Sequence, residues 1–388
     1  MDGMRYDVVV AGGSVAGLLC AREIARGGNS VIVLEEDAEI GSPEHCGGLV
    51  STDALAGLGV TPSIRTFGSH IREAVVFSPG RRCLTIPADR QRVAEISRQG
   101  LDRQIAEQAH KAGAHIQAGV RVLRMSKDGV ESSEGSITSD IVVDARGVSS
   151  LAQKDKAGII PSAQYQVHAS WIGDRVEVHL DQKRYPGFFA WVIPSSPGAG
   201  KVGVAGRSIN VATALNDFLT SRGRCSISRR VFAPVWVGGP LKEFVTGDVV
   251  SVGDAAGQTK PTTAGGIYSC GMGGIMAGRA ISAFLDTGRR EHMDAYQREW
   301  MQRFGDEFHR QLLARRILER LDNKTIDLLF GQISSVDISG VARSADFDFH
   351  AASLVQILGM RKTAEVAGTI LGSEIRRILE RMKAPSKV

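Results

Sequence analysis

Cysteine is sparse and scattered in this sequence. The five residues, Cys20, Cys46, Cys83, Cys225 and Cys270, make no CxxC pair and no metal-ligand spacing. That excludes a disulfide framework, gives no expectation of a metal site and points to a reducing compartment. No secretory signal is expected: Asp7 and the strand-like VVVAGG stand where an n-region and h-region would be. No segment suits a membrane span. The longest uncharged run, Pro261 to Gly278, has the length but is too rich in Gly, Thr and Pro. There are no internal repeats and no low-complexity tracts. Neither sign of charge dominates. The net charge of +5 allows a nucleic acid, an acidic membrane surface or a small anionic ligand, and selects none of them.

What the chain has in excess is glycine. Its 45 glycines in 388 residues amount to about 12%, where ~7% is usual. No G-X-Y period is present, so collagen is excluded. Residues 11–50 and 251–280 hold eight glycines each. Such clusters mark backbone that turns tightly or approaches something closely. Apolar residues at 43% and charged residues at 23% describe a globular chain, and its length suits about two or three domains.

Residues 6–35 read as one βαβ unit. YDVVVAGG is a buried strand entering a glycine turn. In the helix that follows, Leu18, Ala21, Ile24 and Ala25 share a face, and Gly27-Gly28 stops it. VIVLEE is a second buried strand. The alternation resumes with a helix from Gly100 to Ala114, a strand pair in HIQAGVRVLRMS and a strand in SDIVVDARG. GDVVSVGDAAG then enters a glycine-rich helix at roughly residues 263–285. Residues 61–90 and 161–242 instead alternate with period two, as in DRVEVHLD, and predict a second, antiparallel sheet. From about 290 the chain is charged and helix-periodic. The expected class is α/β, or α+β overall. A Rossmann-like domain (1–60, 91–160 and 243–290) carries an inserted antiparallel-sheet substrate domain (61–90 and 161–242) and a helical C-terminal region (291–388).

Two motifs carry the chemistry. In the first, Gly12, Gly13, Ser14, Val15, Ala16 and Gly17 join a strand to a helix N-terminus. There, free N–H groups and the helix dipole can face a pyrophosphate. Ser14 stands at the middle glycine position of the fingerprint. Glu35, with Glu36 beside it, ends the second strand, where an acid can bind ribose hydroxyls. This motif reads a dinucleotide without choosing FAD over NAD. The second, Gly253 to Ile267, makes that choice. Asp254 can accept hydrogen bonds from a ribityl chain. The glycines Gly265 and Gly266, before Ile267, start a helix that can stabilise the negative charge of a reduced flavin.

With the DARG turn at Asp144 to Gly147, these motifs resemble the FAD-dependent group that contains the aromatic hydroxylases. Within it, the chain most resembles the geranylgeranyl reductase family, including the archaeal digeranylgeranylglycerophospholipid reductases. His45-Cys46-Gly47-Gly48 resembles the family's Cys-Gly-Gly turn. QTKPTTAGGIYSCGM resembles its form of the GD motif, with Gln258 where the hydroxylases usually carry His. The likeness runs from Tyr6 to about Phe330. It implies FAD as cofactor, with Cys46, Gly47 and Gly48 as the catalytic turn and Cys46 and Gly47 also touching the flavin. It places Arg98 near the cofactor phosphates and the Val122 backbone at the adenine. The family's lipid-contacting Pro-x-x-Tyr-x-Trp-x-Phe-Pro falls on Pro186, Phe188, Phe189, Trp191 and Pro194. Here Phe189 replaces the Tyr and Ile193 the Phe, which keeps an apolar wall without the hydroxyl.

The implied reaction is saturation of isolated C=C bonds in the geranylgeranyl chains of a prenylated glycerophospholipid. Such an alkene has no carbonyl to accept a hydride, so it must be protonated before or with the transfer. The site then needs an acid, a dry tunnel and aromatic walls that shield positive charge. Cys46, or a water near it, is the candidate acid region; its role as acid, positioning group or redox centre stays open. The alternative is an FAD-dependent monooxygenase of an aromatic or polyketide substrate. With no second GxGxxG, the electrons are expected from an external donor: a ferredoxin, a reduced nicotinamide or a deazaflavin. No nucleic-acid partner is expected. The expected location is the cytoplasm, with peripheral contact on the inner face of the membrane as a further option. That contact is suggested by Ile375, Ile378, Leu379 and Met382 at helical spacing in the basic stretch Arg361 to Val388.

Overall fold

The computed structural model describes residues 3–88, 92–151, 155–333 and 347–348. Its helices are α1 (Val15–Arg26), α2 (Thr52–Gly57), α3 (Arg98–Lys111), α4 (Val211–Arg222), α5 (Ile267–Thr287), α6 (Glu291–Leu318) and α7 (Asn323–Ile333). The first apolar strand, Met4–Ala11, is central to a largely parallel sheet. Val31–Glu35 and then His115–Ala118 lie on one side of it; Gly135–Asp144 and then Val249–Ser251 lie on the other. Val8, Val9, Val10 and Ala11 are fully buried, as a strand covered on both faces requires. Val8 and Val10 pack towards α1, α5 and α6. Val9 and Ala11 pack on the opposite face, with Val120, Val122 and Val130.

The glycines of α5 serve its packing on α1. A Cβ on Gly274 would stand 2.1 Å from the Ala16 carbonyl oxygen, and one on Gly278 2.5 Å from that of Cys20. Only glycine lets the two backbones come this close. Helix α6 closes the same core with Met293, Tyr296, Trp300, Phe304 and Phe308, all essentially inaccessible. They recur every three or four residues, the spacing of one helical face.

The second sheet has seven strands, in the order Ser226–Trp236, Ile159–His168, Ala199–Ala205, Ala190–Ser196, Val176–His179, Glu73–Phe77 and Cys83–Pro87. It is antiparallel except where Val176–His179 runs parallel to Glu73–Phe77, the junction between segments distant in sequence. Helix α4, which the strand-like reading of 161–242 does not anticipate, covers one face with Leu215, Phe218 and Leu219. A small third sheet joins Leu49–Ser51, Val93–Ile96 and Phe67–His70. Phe67–His70 thus pairs with Val93–Ile96 and not with the large sheet.

Two helix starts differ from the sequence pattern. Helix α5 begins at Ile267, since Ala264 has φ of 54° and breaks any helix across it. Helix α3 begins at Arg98, because the Ser97 hydroxyl accepts the Gly100 N–H at 3.1 Å and caps it. Among the described residues, no helix is long and apolar enough to cross a membrane. The basic stretch Arg361 to Val388, with Ile375, Ile378, Leu379 and Met382, lies outside the described residues.

Candidate functional site

The first glycine turn, Glu35 and Arg98 come together at the C-terminal end of the parallel sheet. Gly12 N–H donates to the Leu34 carbonyl at 2.8 Å, and Gly13 N–H to Glu35 Oε2 at 2.6 Å. Ser14 is the N-cap of α1, yet its side chain caps no N–H of that helix. Its hydroxyl accepts from Arg98 Nη2 at 3.1 Å instead. Ala16 and Gly17 lie in the uncapped first turn. Arg98 also pairs with both Asp102 oxygens at 3.2 Å. Burial disfavours its charge, but Asp102 and the adjacent Cys46 thiol outweigh burial and hold its pKa above the usual arginine value. Its buried Nε has no partner. Uncapped helix N–H groups beside a buried guanidinium with a spare donor fit the pyrophosphate of a dinucleotide. Glu36 faces outward, paired with Arg121 at 2.8 Å. Val122 is buried one residue further along, on the far face of the sheet.

The second glycine motif sits beside the first. The Asp254 carboxylate accepts the Thr259 hydroxyl and the Cys270 thiol at 3.5 Å. Burial, with Asp254 adding to it, raises the Cys270 pKa well above the usual thiol value, so this cysteine stays protonated. Gly265 and Gly266 precede α5, whose N-cap Gly266 leaves the first turn, including Ile267, without a side-chain cap. That helix end fits the electron-rich edge of a flavin. Gln258 is fully buried away from this opening. It accepts the Gly253 N–H at 2.8 Å and donates to Tyr296 Oη at 2.9 Å, so it shapes the turn.

The Cys46-Gly47-Gly48 turn lies between Arg98 and the large sheet. Cys46 Sγ accepts the Gly48 N–H at 3.3 Å. Gly48 has φ of 77°, and a Cβ there would meet the Ile96 carbonyl oxygen at 2.2 Å. A side chain at that position is therefore excluded twice over. Gln164 ties this turn to the aromatic wall. Its Nε2 donates to the Cys46 carbonyl at 3.1 Å, and its Oε1 accepts the Trp191 indole N–H at 3.0 Å. Phe188 and Phe189 stack with ring centres 4.2 Å apart, and each meets Trp191 edge-on. Pro186 lies on the turn that leads into this wall and accepts the Arg207 N–H at 2.8 Å. Pro194 sits one residue past Ile193, on the opposite pleat, and its carbonyl accepts the Ser69 hydroxyl at 3.2 Å.

Ile193, which stands where the family's pattern has Phe, shares the pleat of Trp191, and its Cδ1 lies 2.6 Å from where a Gly47 Cβ would stand. Other residues here carry no signal that the sequence reading used. Arg315 of α6 donates to Pro261 O at 3.1 Å and Gly187 O at 2.7 Å. Its guanidinium also lies 5.6 Å from the centre of the Phe188 ring, and burial lowers its pKa. One side chain thus joins the flavin-type turn to the aromatic wall. The signal was available: the apolar stripe of α6 continues onto Gln311 and Arg315, polar residues where the helical period calls for apolar ones. Lys260, inside the second motif, is buried and pairs with Asp348 at 3.3 Å, while Ser51 donates to the same carboxylate at 3.1 Å. Lys201, Glu44 and Glu95 form a buried charge cluster behind the Cys46 turn.

Comparisons with known proteins agree with this geometry. A family model described as FAD binding domain matches residues 5–210. Digeranylgeranylglycerophospholipid reductase 2 of Methanothermobacter thermautotrophicus is 32% identical, over 88% of this chain and 94% of that protein. The crystal structure of a geranylgeranyl bacteriochlorophyll reductase-like protein from Thermoplasma acidophilum superposes with a TM-score of 0.83 at 21% identity, over 97% of this chain and 99% of that one. A flavin-dependent brominase shares the fold more loosely, with a TM-score of 0.69 at 18% identity, over 96% of this chain and 100% of its own.

Proposed function

Because the chain belongs to the FAD binding domain family and to the digeranylgeranylglycerophospholipid reductases, we propose that it is an FAD-dependent reductase of isolated C=C bonds in geranylgeranyl chains, acting on a prenylated glycerophospholipid. The observation that carries this reading is the Gln164 bridge, which holds a thiol-bearing turn against an aromatic wall. Bound FAD supplies the hydride. The rest of the chemistry falls to the protein.

Gly12, Gly13, Ser14, Ala16, Gly17 and Arg98 hold the pyrophosphate, and Glu35, with Glu36 beside it, the ribose. Asp254, Gly265, Gly266 and Ile267 seat the flavin end, while the Val122 backbone borders the adenine. Pro186, Phe188, Phe189, Trp191 and Pro194 shape the wall along which the prenyl chain lies. That apolar wall excludes water, and its ring faces attract the positive charge that protonation creates. Cys46, against the Arg98 guanidinium, and Gly47 and Gly48 form the turn at which the proton is delivered. The hydride's electrons come from an external donor: a ferredoxin, a reduced nicotinamide or a deazaflavin. The lipid substrate brings the site to the cytoplasmic surface of a membrane, where the protein binds peripherally.

The test compares two oxidants of the reduced, FAD-loaded protein. Rapid anaerobic reoxidation of the flavin by a digeranylgeranylglycerophospholipid supports the reductase. Reoxidation that requires oxygen and is stimulated by an aromatic substrate instead supports a monooxygenase.

A further inference from the structure

Each double bond saturated takes up one hydride and one proton. A chamber that is dry enough to shield a cation is a poor route for that proton, so it needs an entrance of its own. Directly behind the Cys46 turn, Lys201 Nζ stands 2.7 Å from Glu44 Oε1 and 2.7 Å from Glu95 Oε1. It also reaches the Gly47 carbonyl at 3.5 Å and the Ile96 carbonyl at 3.3 Å. All three charged side chains are more than nine-tenths buried. Glu44 Oε1 accepts the Arg98 backbone N–H at 2.9 Å, while the Arg98 guanidinium lies against the Cys46 thiol. One residue therefore touches both the cluster and the turn.

Two carboxylates share one ammonium. With all three ionised the cluster carries one net negative charge, and a single added proton cancels it. Lys201 is not the group that gives a proton up: burial works against its charge, but Glu44 and Glu95 outweigh burial and hold its pKa above the usual lysine value. A cleft of about 280 Å³ opens onto the cluster, lined by Glu44, Glu95, Lys201, Ser97, His168 and Ser228. Ser228, on the edge strand Ser226–Trp236, is exposed to solvent. Apolar surface makes up much of the cleft's lining, but these polar side chains face into it and it is large enough for several waters.

The geometry points to a proton inlet: water in this cleft loads the Glu44–Lys201–Glu95 cluster, which supplies the Cys46 turn from further along the same sheet face that carries Trp191 and Ile193. The step balances. The alkene π pair takes the proton and forms one C–H bond; the hydride brings the pair for the second; solvent restores the proton to the cluster. Glu44 and Glu95 thus carry the proton towards the turn without touching the reacting atoms themselves. His168 lines the same cleft, Arg98 meets Glu44 through its backbone N–H, and the Asp102 carboxylate feels the Glu44 charge. The inference rests on the reductase reading above.

The test is a single anaerobic turnover of dithionite-reduced, FAD-loaded protein with a digeranylgeranylglycerophospholipid, in H2O and in D2O. Glu95→Gln removes a proton carrier, and Ser228→Trp, at an exposed position, plugs the mouth. Each is expected to slow C=C reduction by about tenfold or more and to enlarge the solvent isotope effect. FAD retention and the lipid KM should not change. Formate added to Glu95→Gln should restore part of the rate, and should not once the mouth is also plugged. Wild-type rates and isotope effects in both variants overturn the inlet and leave the reductase standing. Should Glu95→Gln fail to fold, Ser228→Trp decides alone. A wild-type protein that leaves the lipid unreduced overturns both.

Discussion

Trp191 and Cys46 are held by the two ends of one side-chain amide. Gln164 accepts the Trp191 indole N–H at 3.0 Å and donates to the Cys46 carbonyl at 3.1 Å. Gln164→Glu keeps an acceptor for Trp191 but sets a carboxylate against the Cys46 carbonyl, whereas Gln164→Met removes both bonds. If the bridge positions the turn, both variants lose kcat, Gln164→Glu by about tenfold or more, with little change in lipid KM. Gln164→Met alone should also shift the Trp191 fluorescence. Steady-state kinetics and emission spectra check this, and an unchanged kcat in both variants removes the bridge from the mechanism.

The contact between α1 and α5 makes a stability prediction. Gly274→Val places a branched side chain where even a Cβ would lie 2.1 Å from the Ala16 carbonyl oxygen. The neighbour is helix backbone, all three nearest atoms belonging to Ala16, and cannot step aside. The expected loss is about 1–3 kcal/mol or more. FAD should also be released more readily, since Ala16 lies in the first turn of α1. Thermal unfolding with and without FAD measures both effects.

The parallel half of the fold was legible because its strands are uniformly apolar and end in glycine turns, as at Val8 to Gly13 and Val250 to Gly253. The motif residues were legible for the same reason: backbone that must approach a ligand or another helix restricts side-chain choice. Helix α4 was hidden, because its twelve residues lie between strands and bury only Leu215, Phe218 and Leu219. Gln164, Lys201 and Arg315 were hidden differently. Arg315 is a polar residue on an apolar helical stripe, whereas Gln164 and Lys201 lie on the strand pleat opposite Tyr165 and Val202, which the alternation reads as outward-facing although both are buried. Their partners, Cys46, Glu44 and Pro261, are remote in sequence. A single chain shows the anomaly at Arg315 but cannot say what the guanidinium meets.

Arg98 carries a spare buried N–H beside the uncapped turn of α1. Arg98→Met should therefore weaken FAD binding by roughly ten- to a hundredfold, the scale of one or two charge-assisted hydrogen bonds. Arg98→Lys should recover only part of that loss, having no planar fork. Flavin fluorescence titration of the apoprotein gives the affinities.

Glu177 makes a pH prediction. Burial works to raise its pKa, but His179 and Arg222, bonded to its carboxylate at 2.9 and 3.0 Å, outweigh burial and lower it below the usual 4.5. A lowered carboxyl pKa contributes stability that is present above 4.5 and is lost as the pH falls through the folded value. Glu177→Gln should be less stable than wild type at neutral pH, and the gap should narrow below pH 4.5. Urea midpoints across the acid range test this.

The most direct measurement is the mass of the lipid. Purified protein loaded with FAD is reduced by dithionite without oxygen, given a digeranylgeranylglycerophospholipid, and the lipid is extracted for mass spectrometry. The account predicts products heavier by successive pairs of hydrogens, with the series lost in Cys46→Ala or strongly slowed. A lipid of unchanged mass, recovered from a protein whose flavin stays reduced until air is admitted, would contradict it.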